Sequence, residues 1–314
     1  MFRDLASSNM NGVVLVCALA GLLAVTHAAD TLRFAAMGDW GTGGSTQKKV
    51  AKSMGDWMAK YKGEFIVTLG DNFYNDGANS VKDPQFDKKW KDVYTARSLQ
   101  KTWYITLGNH DHHRDNAKNE VAYSKVNSRW YLPTNYYSIT KKVGRKSVLF
   151  IMMDTTPLSR RRDRRQLDWI KSQLQNSKAD WIIMAGHHPV FSTGSHGSSS
   201  TMYRDVLPLM EKYKVALYLA GHDHNYEHLR VSRTLSGKSP ITDLVVQGGG
   251  GKSRRTTRGT RGKEQMTKHG VKSYKFDAAY GFCGVELTET RLYVKFIDEK
   301  GRTAYSFKKS NPRK

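Results

Sequence analysis

Phe65-Ile66-Val67-Thr68-Leu69-Gly70-Asp71-Asn72-Phe73-Tyr74 is a short apolar run that breaks at a glycine and ends in a carboxylate, an amide and a phenol. A run of this length, bounded by Gly, Asn and Asp, reads as a buried strand. The same layout recurs four times. Leu32 to Met37 runs into Gly38-Asp39-Trp40-Gly41, and Trp103 to Leu107 into Gly108-Asn109-His110-Asp111. Trp181 to Ala185 runs into Gly186-His187-His188-Pro189, and Ala216 to Ala220 into Gly221-His222-Asp223-His224. Further strands are expected at Val148 to Met153, Leu244 to Gln247, Gly281 to Leu287 and Arg291 to Ile297, the last two forming an antiparallel hairpin about Thr288-Glu289-Thr290.

Helical spacing lies between the runs. Val50, Met54, Trp57, Met58 and Tyr61 share one face, Leu167, Ile170 and Leu174 a second, and Val206, Leu207, Met210 and Tyr213 a third. Strands alternating with helices predict an α/β fold with parallel βαβ units. In such a sheet the carboxyl ends of the strands line the ligand crevice, so the five polar loops should converge. The chain has 314 residues, no internal repeat and no long linker, and the order of the loops favours a single domain. Gly248 to Lys272, glycines followed by Arg, Lys and Thr, reads as a flexible surface loop.

The residues ending the five runs fit one demanding kind of chemistry. Two cations roughly 3.5 to 4 Å apart need a bridging carboxylate, further ligands for each ion, and open positions for water and a phosphoryl oxygen. Asp39, Asp71, Tyr74, Asn109, His187, His222 and His224 supply oxygen and nitrogen donors only. A glycine before most of them lets the chain turn sharply off its strand.

On these motifs the sequence resembles the calcineurin-like metallophosphoesterases, and among them the small, tartrate-resistant purple acid phosphatases. The motifs span residues 38 to 224, and the likeness in strand order continues to about Ile297. The resemblance implies a four-layer αββα sandwich of mixed sheets. It also implies that Asp39, Tyr74 and His224 hold one metal, that Asn109, His187 and His222 hold the other, and that Asp71 bridges them. The cofactor implied is a binuclear centre of Fe(III) plus a divalent Fe, Zn or Mn ion. Charge agrees with that division: two carboxylates and a phenolate suit a trivalent ion, whereas the shared carboxylate, an amide and two imidazoles suit a divalent one. A phenol of ordinary pKa near 10 stays ionised in acid only beside a strongly polarising ion, which makes Tyr74 the discriminating residue.

The expected reaction is acid hydrolysis of phosphate monoesters by attack of a metal-bound hydroxide. His110 and His196 match family positions that orient the phosphate or protonate the leaving alkoxide. Asp111 and Asp223 are expected to orient imidazoles as acceptors. His112 and His113 are assigned no role, since a run of histidines beside a motif suits a solvated surface. The family's longer, protease-sensitive loop is replaced by the short basic connection Thr155 to Arg165, so regulation by cleavage there is not expected. A phosphodiesterase or nuclease on the same fold, and a non-enzymatic protein with a vestigial centre, are the competing readings.

The ends and the composition bound the setting. Residues 1–28 have the layout of a signal peptide: Arg3, an apolar run from Val13 to Val25, then Ala28 and Ala29. That run is too short to span a bilayer, and no other stretch is apolar enough. The catalytic domain is expected over 29–314 with a basic C-terminal tail, in a secreted or lysosome-like vesicular protein, monomeric, needing no nucleic acid. Cys17 leaves with the leader, and Cys283 reads as a buried small hydrophobe. No Asn-x-Ser/Thr sequon is present. The net charge of +23, concentrated in Arg160 to Arg162, Arg164, Arg165, Arg254, Arg255, Arg258, Arg261 and the tail Lys308, Lys309, Arg313 and Lys314, attracts anions. Expected partners are phosphorylated small molecules or phosphoproteins as substrates, with polyanions or anionic surfaces on the basic patches.

Overall fold

The computed structural model describes residues 30–160, 163–231, 242–253, 264 and 266–313. The expected leader with Cys17, and Arg161, Arg162, Arg254, Arg255, Arg258, Arg261 and Lys314, lie outside the described residues. In chain order the elements are β1 (Leu32–Met37), α1 (Ser45–Lys60), β2 (Phe65–Thr68), β3 (Thr102–Tyr104), α2 (Ala117–Tyr123), β4 (Trp130–Tyr131), β5 (Tyr137–Val143) and β6 (Lys146–Met152). They continue with α3 (Thr155–Ser159), α4 (Arg164–Asn176), β7 (Trp181–Ala185), α5 (Leu207–Lys212), β8 (Leu217–Ala220), β9 (Tyr226–Val231), β10 (Asp243–Gln247) and β11 (Val271–Asp277). The hairpin β12 (Gly281–Leu287) and β13 (Arg291–Asp298) and the strand β14 (Thr303–Ser310) finish the chain.

Two seven-stranded mixed sheets result, in the orders β14-β13-β12-β1-β2-β3-β4 and β11-β9-β10-β8-β7-β6-β5. The centre of each is parallel: β1, β2, β3 and β4 run together in one, β6, β7, β8 and β10 in the other. Antiparallel strands close both flanks of the second sheet and one flank of the first. Alternation along the second sheet's strands assigns its faces. Val148, Phe150, Ile183, Leu217, Leu219 and Val245 join the core shared with the first sheet, including Phe34 and Phe65. Their neighbours Leu149, Ile151, Ile182, Met184, Tyr218 and Val246 pack instead with Ile170 and Leu174 of α4 and Met210 of α5. On the far side, Val50, Met54, Trp57 and Met58 of α1 join the first sheet's core. The result is helix, sheet, sheet, helix, the four layers expected.

Local chemistry sets the helix boundaries. Asp163 caps α4 by accepting the Gln166 N–H at 2.9 Å, and Pro208 opens α5 where no amide donor is needed. The segment read as a surface loop from Gly248 differs from that expectation. Gly248 to Gly251 are buried, and Lys272 lies within β11. The basic C-terminal residues are strand through Ser310, Lys309 is ion-paired with Asp243, and the Arg313 guanidinium donates to Ala179 O and Tyr213 O. Cys283 is buried, as read. No described helix is long and apolar enough to cross a membrane.

Candidate metal centre

The five loops meet where the parallel strands of both sheets end. Asp39 and Asp71 are 0% and 2% exposed, and with His187 they place ligand atoms within 4.8 Å of one another. The Tyr74 hydroxyl donates to Asp39 Oδ1 at 3.1 Å and Asp71 Oδ2 at 2.9 Å, and lies 3.5 Å from His224 Nε2. His224 Nε2 is itself 3.4 Å from Asp39 Oδ1. On the other side, His187 Nε2 is 3.0 Å from Asn109 Oδ1, 3.1 Å from His222 Nδ1 and 3.4 Å from Asp71 Oδ1. The seven donors thus form two groups, with one oxygen of Asp71 turned to each.

The surroundings orient the donors. His187 Nδ1–H donates to Leu69 O at 2.8 Å and His224 Nδ1–H to Ser253 O at 2.8 Å, which leaves both Nε2 atoms available as ligands. Asp39, Asp71 and His222 take the left-handed backbone conformation, with φ of 59°, 52° and 72°. Such strain persists at residues other than glycine when the surroundings hold it, and it clusters at functional sites. The loops also approach closely. A Cβ on Gly108 would lie 2.2 Å from Asp71 Oδ1, and one on Gly248 would lie 2.6 Å from Asp39 Oδ2.

The electrostatics favour a cation. Burial, then the charges of Asp39 and Asp71, push the Tyr74 phenol well above its usual range. Without a metal it is a neutral donor. Burial, with the neighbouring His188 and His187, drives His222 well below the ordinary imidazole value, so it is neutral and able to ligate. Burial lowers His187, but the Asp71 and Asp39 charges outweigh it and hold that ring high. Among the described residues, the ion pairs of Asp39 and Asp71 are made with histidines alone. Two buried carboxylates with no lysine or arginine partner among the described residues, ringed by imidazole, amide and phenol donors, fit a pair of metal ions.

The other expected residues fall around this core. His110 stands against the Tyr74 ring, its centroid 4.6 Å away, and its Nε2 is 3.9 Å from Asp71 Oδ2. Exposed His196 stacks on His222 at 4.2 Å, and its N–H donates to Asp223 Oδ1 at 2.9 Å. Asp111 and Asp223 do their work on the loops rather than on the imidazoles. Asp111 accepts the N–H groups of Gly108, Asn72 and Phe73, and Asp223 accepts from Ser192 Oγ and the His196 N–H. His112 is no solvated bystander, because its Nε2 lies 2.9 Å from both oxygens of buried Asp154. Its neighbour His113 does lie at the surface, 3.0 Å from Asp76. Sequence reasoning also passed over Thr155, whose hydroxyl accepts the N–H groups of His187 and His188, and Lys252, whose ammonium sits 4.3 Å from the Tyr74 ring centroid. The Thr155 position follows a strand end like the others, and that was its only signal.

Comparison with known proteins follows the same outline. The family described as calcineurin-like phosphoesterase matches residues 32–226. Tartrate-resistant acid phosphatase type 5 of Oryctolagus cuniculus is 33% identical over 310 residues, 88% of this chain and 90% of that protein. Purple acid phosphatase 4 of Arabidopsis thaliana is 30% identical and covers 97% of this chain, 94% of its own length. A solved structure described as GAP50, the anchor in the inner membrane complex of Plasmodium, aligns over 90% of both chains with a TM-score of 0.77 at 27% identity.

Proposed function

The chain belongs to the calcineurin-like phosphoesterases, among the purple, tartrate-resistant acid phosphatases, and from that premise we propose that it hydrolyses phosphate monoesters at a binuclear Fe(III) and divalent-metal centre. The observation that carries this reading is the split of Asp71, one oxygen toward Tyr74 and the other toward His187. On that basis Asp39, Tyr74 and His224 hold the trivalent ion, and Asn109, His187 and His222 the divalent one. When bound, the metal pair supplies an acidified water and positive charge facing the phosphoryl oxygens.

The chain's own groups do the rest. Ser253 O and Leu69 O keep the His224 and His187 rings turned with Nε2 toward the centre. His110 and His196 hold the phosphate and deliver a proton to the leaving alkoxide oxygen, a reading supported by the position of the first against Tyr74 and of the second on the face of His222. Proton delivery needs the imidazolium, which sets an acid optimum. The reading includes a leader over 1–28, a single catalytic domain from residue 29, and delivery to a secreted or lysosome-like compartment. N-terminal sequencing of the exported protein checks this part, with a start at Ala29 or Asp30 expected.

The decisive test is turnover of p-nitrophenyl phosphate at acid pH, beside metal analysis and a visible spectrum of wild type and Tyr74→Phe. Iron, a phenolate-to-iron band lost in Tyr74→Phe, and monoester turnover are expected. Faster turnover of bis(p-nitrophenyl) phosphate assigns a phosphodiesterase instead. The likeness to a protein described as an anchor favours a second reading, in which the fold serves attachment. Metal-loaded protein inactive on both esters selects that reading.

A further inference from the structure

Beyond β10 the chain does not leave the molecule but crosses the mouth of the centre. Gly250 N–H donates to Gly38 O at 3.0 Å, Lys252 N–H donates to Asp39 O at 2.9 Å, and Ser253 O receives His224 Nδ1–H at 2.8 Å. The backbone of Lys252 is therefore fastened, at the residue and on both sides of it, to residues that carry or adjoin the donor set. The Lys252 ammonium lies 4.3 Å from the Tyr74 ring centroid and 3.4 Å from Asn75 Oδ1. Among the described residues no carboxylate is within ion-pair distance of it. A second ammonium is close by: Lys89 Nζ donates to Tyr74 O at 2.5 Å and to Gln85 Oε1 at 2.6 Å. Two lysines thus flank one tyrosine, Lys89 at its carbonyl and Lys252 over its ring.

We propose that Lys252 is a specificity residue that receives a second phosphoryl group of the substrate, so that the centre discriminates in favour of diphosphates over aryl monophosphates. The inference rests on the phosphatase reading of the same site. The bond broken does not change: with pyrophosphate, water oxygen adds to one phosphorus, the bridging P–O bond breaks, and the departing phosphate takes the proton, giving two orthophosphates. The second phosphorus stands one bridging oxygen from the first. The Lys252 ammonium stands over the face of the ring whose phenol oxygen reaches the centre, 4.3 Å from the ring centroid, so a single ammonium there can meet the distal oxygens. The general positive field of the protein attracts every anion alike. A fixed ammonium instead makes a charge-assisted hydrogen bond that only the longer substrate can complete.

The test compares wild type, Lys252→Met and Lys252→Arg, each metal-loaded, on pyrophosphate and on p-nitrophenyl phosphate. The ratio of kcat/KM on pyrophosphate to that on the aryl ester is expected to fall about tenfold in Lys252→Met, mainly through KM, and to recover in Lys252→Arg. Equal losses on both substrates overturn the proposal, and so does an unchanged ratio. If equal losses come with a shifted visible band, Lys252 acts through Tyr74 and not on substrate. Should wild type turn over neither compound, the phosphatase reading has failed separately. Equilibrium binding of pyrophosphate then decides the lysine's role: weaker binding by Lys252→Met supports the subsite, and equal binding removes it.

Discussion

The protein buries carboxylates in two regions and treats them in opposite ways. At the start of β10, fully buried Asp243 accepts from His228 Nε2 at 2.8 Å, Arg230 Nε at 2.9 Å and Lys309 Nζ at 2.7 Å. His228 and Arg230 come from β9 in one sheet and Lys309 from β14 in the other, so the cluster ties the two sheets together. Burial alone raises such an acid, but its hydrogen bond from His228 and the Lys309 and Arg230 charges outweigh burial and hold it at about 2. Asp39 and Asp71 are buried as deeply, yet among the described residues their contacts are a phenol, imidazoles and backbone N–H groups. A carboxylate that the chain supplies with cations acts as a lock. A pair left short of cations requires them from outside the chain. The deficit, more than the presence of acids, distinguishes the functional region.

The contrast is broken most directly at Asp71. Asp71→Asn removes half of the deficit and the bridging charge, and turnover is expected to fall by about 10³-fold with loss of bound iron. Retained metal and activity would remove the distinction between the regions. Asp243→Asn strips the lock instead and strands two cations and a histidine. Denaturant unfolding should show about 3 kcal/mol less stability, with metal content per folded molecule as in wild type. Loss of metal ahead of stability would mean that the two regions are coupled. The pH dependence has a definite sign. Asp243 is depressed on folding, so its contribution, about 2 kcal/mol, is fully present above the unfolded value of about 3.9 and is lost as pH falls through about 2. The lock therefore holds in mild acid and is lost only in strong acid.

Asp111 sharpens the comparison, since it supports the centre without touching an ion. It accepts three backbone N–H groups from the loops that carry Asn109 and Asp71. Asp111→Asn is expected to weaken metal affinity by about 10- to 100-fold in a titration with a competing chelator, at near-normal stability. The smallest effect belongs to His112. Burial lowers its pKa, but the hydrogen bond and charge of Asp154 outweigh burial and raise it. A raised histidine contributes stability in full below its unfolded value of about 6.5 and loses it as pH rises through the folded value. His112→Ala should cost about 1 kcal/mol at mildly acid pH and progressively less in alkali, read by thermal melts across pH.

What could be read from sequence follows the same division. β1 and β7 are legible to the residue, and so are the five loops, because central parallel strands are continuous apolar runs that end at a glycine; β12, though antiparallel to both neighbours, is equally legible because it is buried along almost its whole length. Five strands were not placed. β5 and β14 are outer strands with one solvated face and several lysines, so Tyr137–Val143 and Thr303–Ser310 show no apolar run. The short β4 closes the other sheet edge. β9 carries Glu227 and His228 inside the fold, polar residues that match no strand signature, and β11 pairs with it. Pairings across long separations were equally hidden. His112 looked like a surface residue because its partner, Asp154, lies 42 residues on. Lys252 reads as loop because its contacts with Asp39 and Tyr74, like the bond of Gly250 to Gly38, are wholly tertiary.

The left-handed backbone at Asp39, Asp71 and His222 has a bearing on biogenesis. Each such residue costs of order 1 kcal/mol or more, against a total stability of about 5–15 kcal/mol for an ordinary domain. On the proposed function that cost, together with the repulsion of two buried acids whose ion pairs among the described residues are with histidines alone, is offset when cations are inserted. Metal supply then governs the yield of folded protein as well as its activity. Cells starved of iron should clear this chain during maturation, and export little of it as an intact but idle apoprotein.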